Sequence, residues 1–132
     1  LKLRLALMLF IPILNLLGCA TGTPITEHSS QSYEVQISQA ISKSVGVIGS
    51  TSDFGSARTS ILILTTIYYD GLIRDIEIAK SSGNEKLDLA IVSAIREGAP
   101  YKPFPQKVKA KYDVLQTAQT FEYDPSAGIY LK

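Results

Sequence analysis

Residues 60–80, Ser-Ile-Leu-Ile-Leu-Thr-Thr-Ile-Tyr-Tyr-Asp-Gly-Leu-Ile-Arg-Asp-Ile-Glu-Ile-Ala-Lys, decide the fold. The first ten are rich in β-branched and aromatic side chains, which fit a pleated, half-buried surface. Asp70-Gly71 favours the positive backbone angles of a two-residue hairpin turn. Residues 72–80 then alternate, with Leu72, Arg74, Ile76 and Ile78 on one side and Ile73, Asp75, Glu77 and Ala79 on the other. Asp75 and Glu77 are expected to face water while Ile76 and Ile78 face a core. Two strands alone are marginal in water, so the hairpin needs a third strand and covering helices.

The flanks supply them. Upstream, Tyr33, Ile37, Ala40, Ile41 and Val45 recur at helical spacing, predicting an amphipathic helix over 33–47 that Gly46 and Gly49 end. Downstream, Ser81-Ser82-Gly83-Asn84 forms a turn with N-cap chemistry. A helix over 85–97 follows, with Leu87, Ala90, Ile91, Ala94 and Ile95 as its buried stripe, stopped by Gly98 and Pro100. Pro103-Phe104-Pro105 is read as an extended connector, and the lysines of 107–111 as the guards of a solvated strand edge. Residues 111–123 are read as a long strand with a bulge at 116–119. The resulting order is helix, strand, strand, helix, strand. The fold class is α+β, a three-stranded antiparallel sheet with two helices packed on one face. The domain covers 33–124, and 125–132 is a C-terminal tail.

The N-terminus has a different composition. Lys2 and Arg4 precede an apolar stretch over 5–14 that is shorter than the roughly 20 residues of a spanning helix, and Pro12 and Asn15 interrupt the region. That is the make-up of an export signal. Leu16-Leu17-Gly18-Cys19 resembles the lipobox of bacterial lipoproteins. The resemblance implies that residues 1–18 are removed by cleavage between Gly18 and Cys19, and that Cys19 carries acyl chains that attach the protein to a membrane. Ala20, rather than Asp, implies the outer membrane, with the domain facing the periplasm. Residues 19–32 are read as a flexible polar tether. His28 lies in it without a second histidine or a further cysteine to form a metal site.

From residue 69 onward the residues carry a second resemblance. Tyr69-Asp70-Gly71-Leu72-Ile73, Ile76, Ser81-Ser82-Gly83, Leu87-Asp88-Leu89-Ala90, Ala94-Ile95 and the segment from Pro100 to Pro105 resemble the C-terminal domain of the TonB and TolA proteins. The likeness covers roughly 33–124. In that family the domain recruits periplasmic proteins, often by lending a sheet edge to an incoming strand. The resemblance therefore implies a partner-binding strand in the last third of the chain, with Tyr112, Val114, Phe121 and Tyr123 as its candidate residues. TonB and TolA keep an inner-membrane helix and a long periplasmic span. A lipobox with a short tether does not carry energy transduction over.

The expected role is a non-catalytic protein-binding adaptor in a cell-envelope assembly, without a cofactor. The alternatives are a ring subunit of a secretion or conjugation channel, and a TonB/TolA-like transport component. A third class is sugar or small-molecule binding by Tyr68, Tyr69 and Tyr101. After the tether there is no histidine, cysteine or phosphate-cradling loop, and Asp70, Asp75, Glu77 and Asp88 are explained by turn, solvent face and helix start. The net charge is +1, with 13 basic and 12 acidic residues; without Lys2 and Arg4 it is −1, which gives no electrostatic basis for nucleic-acid binding.

Overall fold

The computed structural model describes residues 24–49 and 52–132. Gly18 and Cys19, with the signal segment, lie outside the described residues. Helix α1 (Pro24–Gly46) is followed by a 3-10 turn (Ser52–Phe54), strands β1 (Thr59–Tyr68) and β2 (Ile73–Lys80), and helix α2 (Glu85–Glu97). A short helix α3 (Gln106–Lys109) then leads to strands β3 (Val114–Asp124) and β4 (Gly128–Leu131). The sheet is antiparallel, in the order β2-β1-β3-β4.

The two helical stripes fold as expected. Tyr33, Ile37, Ile41 and Val45 of α1 and Leu87, Ile91 and Ile95 of α2 pack on Ile61, Ile63 and Ile67 of β1 and Phe121 and Tyr123 of β3. All are at most 2% exposed. Each such side chain contributes about 1.5–3 kcal/mol of burial. Asn84 caps α2 by accepting from the Leu87 N–H at 3.2 Å. Asp88 explains the Ser-Ser-Gly turn and the Leu-Asp pair together. Its buried carboxylate accepts from the Ser81 hydroxyl, from the Ser82 hydroxyl at 2.5 Å and from the Ser82 N–H at 3.1 Å.

Five expectations are corrected. The sheet has four strands, because Asp124 accepts from the Ser126 N–H at 2.8 Å and turns residues 128–131, read as tail, back onto β3. Helix α1 begins at Pro24, so most of the segment read as flexible tether is helical, and His28 lies within that helix. The hairpin turn does not use two positive angles. Only Gly71 has φ +89°, and the N–H of Gly71 bonds to the Tyr68 carbonyl at 2.9 Å. The loop is thus a turn over 68–71 closed by a left-handed glycine, the three-residue kind of hairpin.

The fourth correction concerns register. β3 pairs with β1 without interruption, and the irregularities lie in the β1–β2 ladder. Arg74 and Ala79 have no opposite residue. The extra residue at 74 lets Ile73 and Ile76, three apart in sequence, face the same side opposite Ile67 and Thr65. Leu72 and Arg74 are consequently exposed, and Ile78 is 37% exposed. Finally, Lys107 and Lys109 sit on α3, not on a strand edge. Val108 anchors that turn in the core at 2% exposure, and β3 starts only at Val114.

Candidate protein-interaction edge

A four-stranded sheet has two outer edges, and they differ. β2 carries Arg74, Asp75, Glu77 and Lys80 and two bulges along eight residues. Charges and bulges are how sheets deter a further strand. The other side is formed by β4, which is only four residues long and covers residues 121–124 of β3. The Lys132 N–H extends this cover to the Thr120 carbonyl at 2.9 Å. Among the described residues, no strand pairs with the outer side of 114–119. This stretch, Val-Leu-Gln-Thr-Ala-Gln, has no charge and no bulge.

Alternation decides which groups it offers. In an antiparallel ladder, successive residues point their backbone groups to opposite neighbours. Since Thr120 turns its carbonyl outward to Lys132, Gln116 and Ala118 also face outward. Residues 115, 117, 119 and 121 are turned toward β1. Both Gln116 and Ala118 are exposed. Above this edge lies α1, so that Glu34, Val35 and Ser38 form one wall of a groove and residues 116–118 the other. Val35 is 51% exposed. Gln119 holds the wall in place, its Nε2 donating to the Ser38 carbonyl and hydroxyl, each at 3.0 Å.

Of the four candidate residues, Val114 opens β3 and is half-buried, and Tyr112 is 48% exposed just before it. Phe121 and Tyr123 are buried at 1% and 2%, and their edge is taken by β4. The aromatic side chains of β3 thus serve the core. The residues the sequence reading missed are Gln116 and Ala118, whose only signal is a run of uncharged polar residues in a strand. Tyr101, a candidate for sugar stacking, is 5% exposed, and its hydroxyl donates to the Ile95 carbonyl at 2.8 Å.

At the covered end of β3, the Ser126 hydroxyl and N–H hold the Asp124 carboxyl below its usual range, with Arg58 at 2.6 Å adding to the effect. Lys132, at 3.0 Å, does the same for Glu122. Among the described residues, no group of three histidine, cysteine, aspartate or glutamate side chains is placed to hold a metal ion, and no helix is long and apolar enough to cross a membrane.

The comparisons agree with this architecture. The family model for the TonB C terminus matches residues 30–116, more than half of the chain. The NMR solution structure of the TonB C-terminal domain of Helicobacter pylori is similar, with a TM-score of 0.51 and 20% identity over 67% of this chain and 94% of that one. At that identity the likeness is one of fold. No curated protein matches the chain. The family match spans the hairpin, the Ser-Gly turn, α2 and the start of the open strand, and the chain therefore belongs to the TonB C-terminal family.

Proposed function

We propose that this chain is a periplasmic, non-catalytic adaptor. It receives an extended segment of an envelope protein on the open edge of β3 and is held to the outer membrane by acyl chains on Cys19. Domains of this family are envelope-associated and interact with other envelope proteins, without enzymatic activity. The observation that carries the reading is the contrast between the two sheet edges. β2 is charged and bulged, while residues 114–119 are neutral, regular and bordered by a groove. An added strand would bond to Gln116 and Ala118 and place alternate side chains toward Val35 or toward solvent. Cover by β4 and Lys132 limits it to about six residues.

The lipid anchor is supported by the Leu16-Leu17-Gly18-Cys19 motif. The leash it implies is short. Four residues separate Cys19 from the start of α1, and the five steps from Cys19 to Pro24 span at most about 18 Å.

Photo-crosslinking in intact cells tests the edge. A photoreactive residue at Gln116 should give adducts with an envelope protein, and one at Glu77 on β2 should not. Ala118→Pro removes one outward N–H, a change edge strands admit. It should abolish the adducts while the far-ultraviolet circular dichroism is unchanged. Equal adducts from both edges, or adducts that survive Ala118→Pro, would refute the reading.

A further inference from the structure

A different surface stands at the hairpin end of the sheet. Tyr68, Tyr69, Leu72 and Tyr112 are exposed there by 40%, 43%, 50% and 48%. Three backbone bonds join the turn to the segment that follows α2: the Tyr101 N–H donates to the Gly71 carbonyl at 2.8 Å, the Phe104 N–H to the Tyr69 carbonyl at 2.9 Å, and the Tyr69 N–H to the Asp113 carbonyl at 3.0 Å. The same segment presents Lys102, Lys107, Lys109 and Lys111, all exposed, and a single acidic residue, Asp113, while the turn adds Asp70. The Lys109 ammonium lies 4.7 Å from the centre of the Tyr69 ring. Tyrosines and lysines side by side are suited to the boundary between acyl chains and headgroups.

The course of α1 says what this end faces. Going backward along the helix, Ser38 meets Gln119, Glu34 and Val35 meet residues 116–118, and Tyr33 meets Phe104 and the Lys102 carbonyl. Each step moves toward the hairpin end of β3. The helix continues for nine more residues to Pro24, about 13 Å farther. The chain therefore enters the domain at the end that carries the tyrosines and lysines, and the segment ahead of it is apolar and ends in Cys19.

We infer that this end of the domain rests on an anionic phospholipid surface, with Tyr69 and Tyr112 at headgroup level and Lys107, Lys109 and Lys111 on the phosphates. The inference rests on N-terminal membrane attachment but not on the β3 edge. A lysine at a negatively charged bilayer shifts the docked-to-undocked ratio by about fivefold. Three of them would favour docking by roughly a hundredfold, and salt would weaken it.

The chain contains no tryptophan, so one can be introduced as a reporter. The full chain with Tyr112→Trp is reconstituted into vesicles of phosphatidylcholine with or without phosphatidylglycerol, each containing brominated lipid. Tyr130→Trp is the control, eight strand positions away from Val114, or about 27 Å. Quenching of the residue-112 reporter on anionic vesicles only, with the residue-130 reporter unquenched, is the expected result. Combined Lys107→Gln, Lys109→Gln and Lys111→Gln should remove it while the chain still floats with the vesicles. Equal quenching at both positions, no quenching at residue 112 in floated vesicles, or quenching that survives the triple change would overturn the inference. A chain that fails to float would instead overturn the N-terminal attachment on which it rests.

Discussion

Replacing Gly71 by alanine should be among the most damaging single-methyl changes in this domain. Gly71 has φ +89°, a conformation that costs an L-residue about 1–2 kcal/mol. The larger effect is steric. A Cβ there would stand 1.9 Å from the Tyr101 carbonyl oxygen and 2.8 Å from its carbon, both backbone atoms that cannot rotate away. The segment must move, straining the bonds from Tyr101 N–H to the Gly71 carbonyl (2.8 Å) and from Phe104 N–H to the Tyr69 carbonyl (2.9 Å). Each such bond contributes about 0.5–1.5 kcal/mol. The buried rings of Tyr101 and Phe104 would shift as well. The total is about 3–5 kcal/mol, a large part of the roughly 5–15 kcal/mol that holds a domain. Gly83 is the natural control: its φ is +86° but nothing lies within 4 Å of a Cβ there, so Gly83→Ala should cost only about 1–2 kcal/mol. Urea unfolding followed by circular dichroism gives both values. If the two variants lose stability equally, the close approach of residue 101 to the hairpin does not exist as described.

Two further outcomes follow from buried hydroxyls. Thr65 is fully buried in the centre of β1 with no hydrogen-bond partner for its hydroxyl, so Thr65→Val should raise stability by about 1 kcal/mol in a thermal melt. A loss instead would mean that the hydroxyl has a partner. Burial pushes the Tyr33 phenol up to about 12, above the ordinary tyrosine value near 10. The unfolded chain releases this proton first, so the contribution of Tyr33 is intact below pH 10 and disappears as pH rises toward 12. Burial raises the Tyr101 phenol as well, so titration of tyrosine absorbance should show Tyr33 and Tyr101 ionising late, together with unfolding. Tyr33→Phe should reduce the amplitude of that late step, and an unchanged amplitude would mean that Tyr33 does not contribute to it.

Sequence alone determined the elements whose stability is local or periodic. The stripe of Tyr33, Ile37, Ile41 and Val45, the β-branched run ending in Asp70-Gly71, and the Asn84 cap each fix their own geometry through spacing and neighbouring hydrogen bonds. The family likeness was legible for the same reason, because the positive φ of Gly71 and the bonds of Ser81 and Ser82 to Asp88 are short-range constraints, although the close approach of Tyr101 to Gly71 is not.

What the sequence did not reveal depends on long-range pairing. The strand over 128–131 is only four residues long, too short to show an alternation, and exists because Asp124 folds it against β3. The bulges at Arg74 and Ala79 arise because β2 must match the register of β1, which no pattern within β2 records. Phe121 and Tyr123 looked available to a partner because strand alternation tells sides apart but not which side is covered. Above all, an edge is a property of strand order. Only the tertiary arrangement decided that neutral Gln116 and Ala118, rather than the aromatic residues of β3, stand where another strand could join.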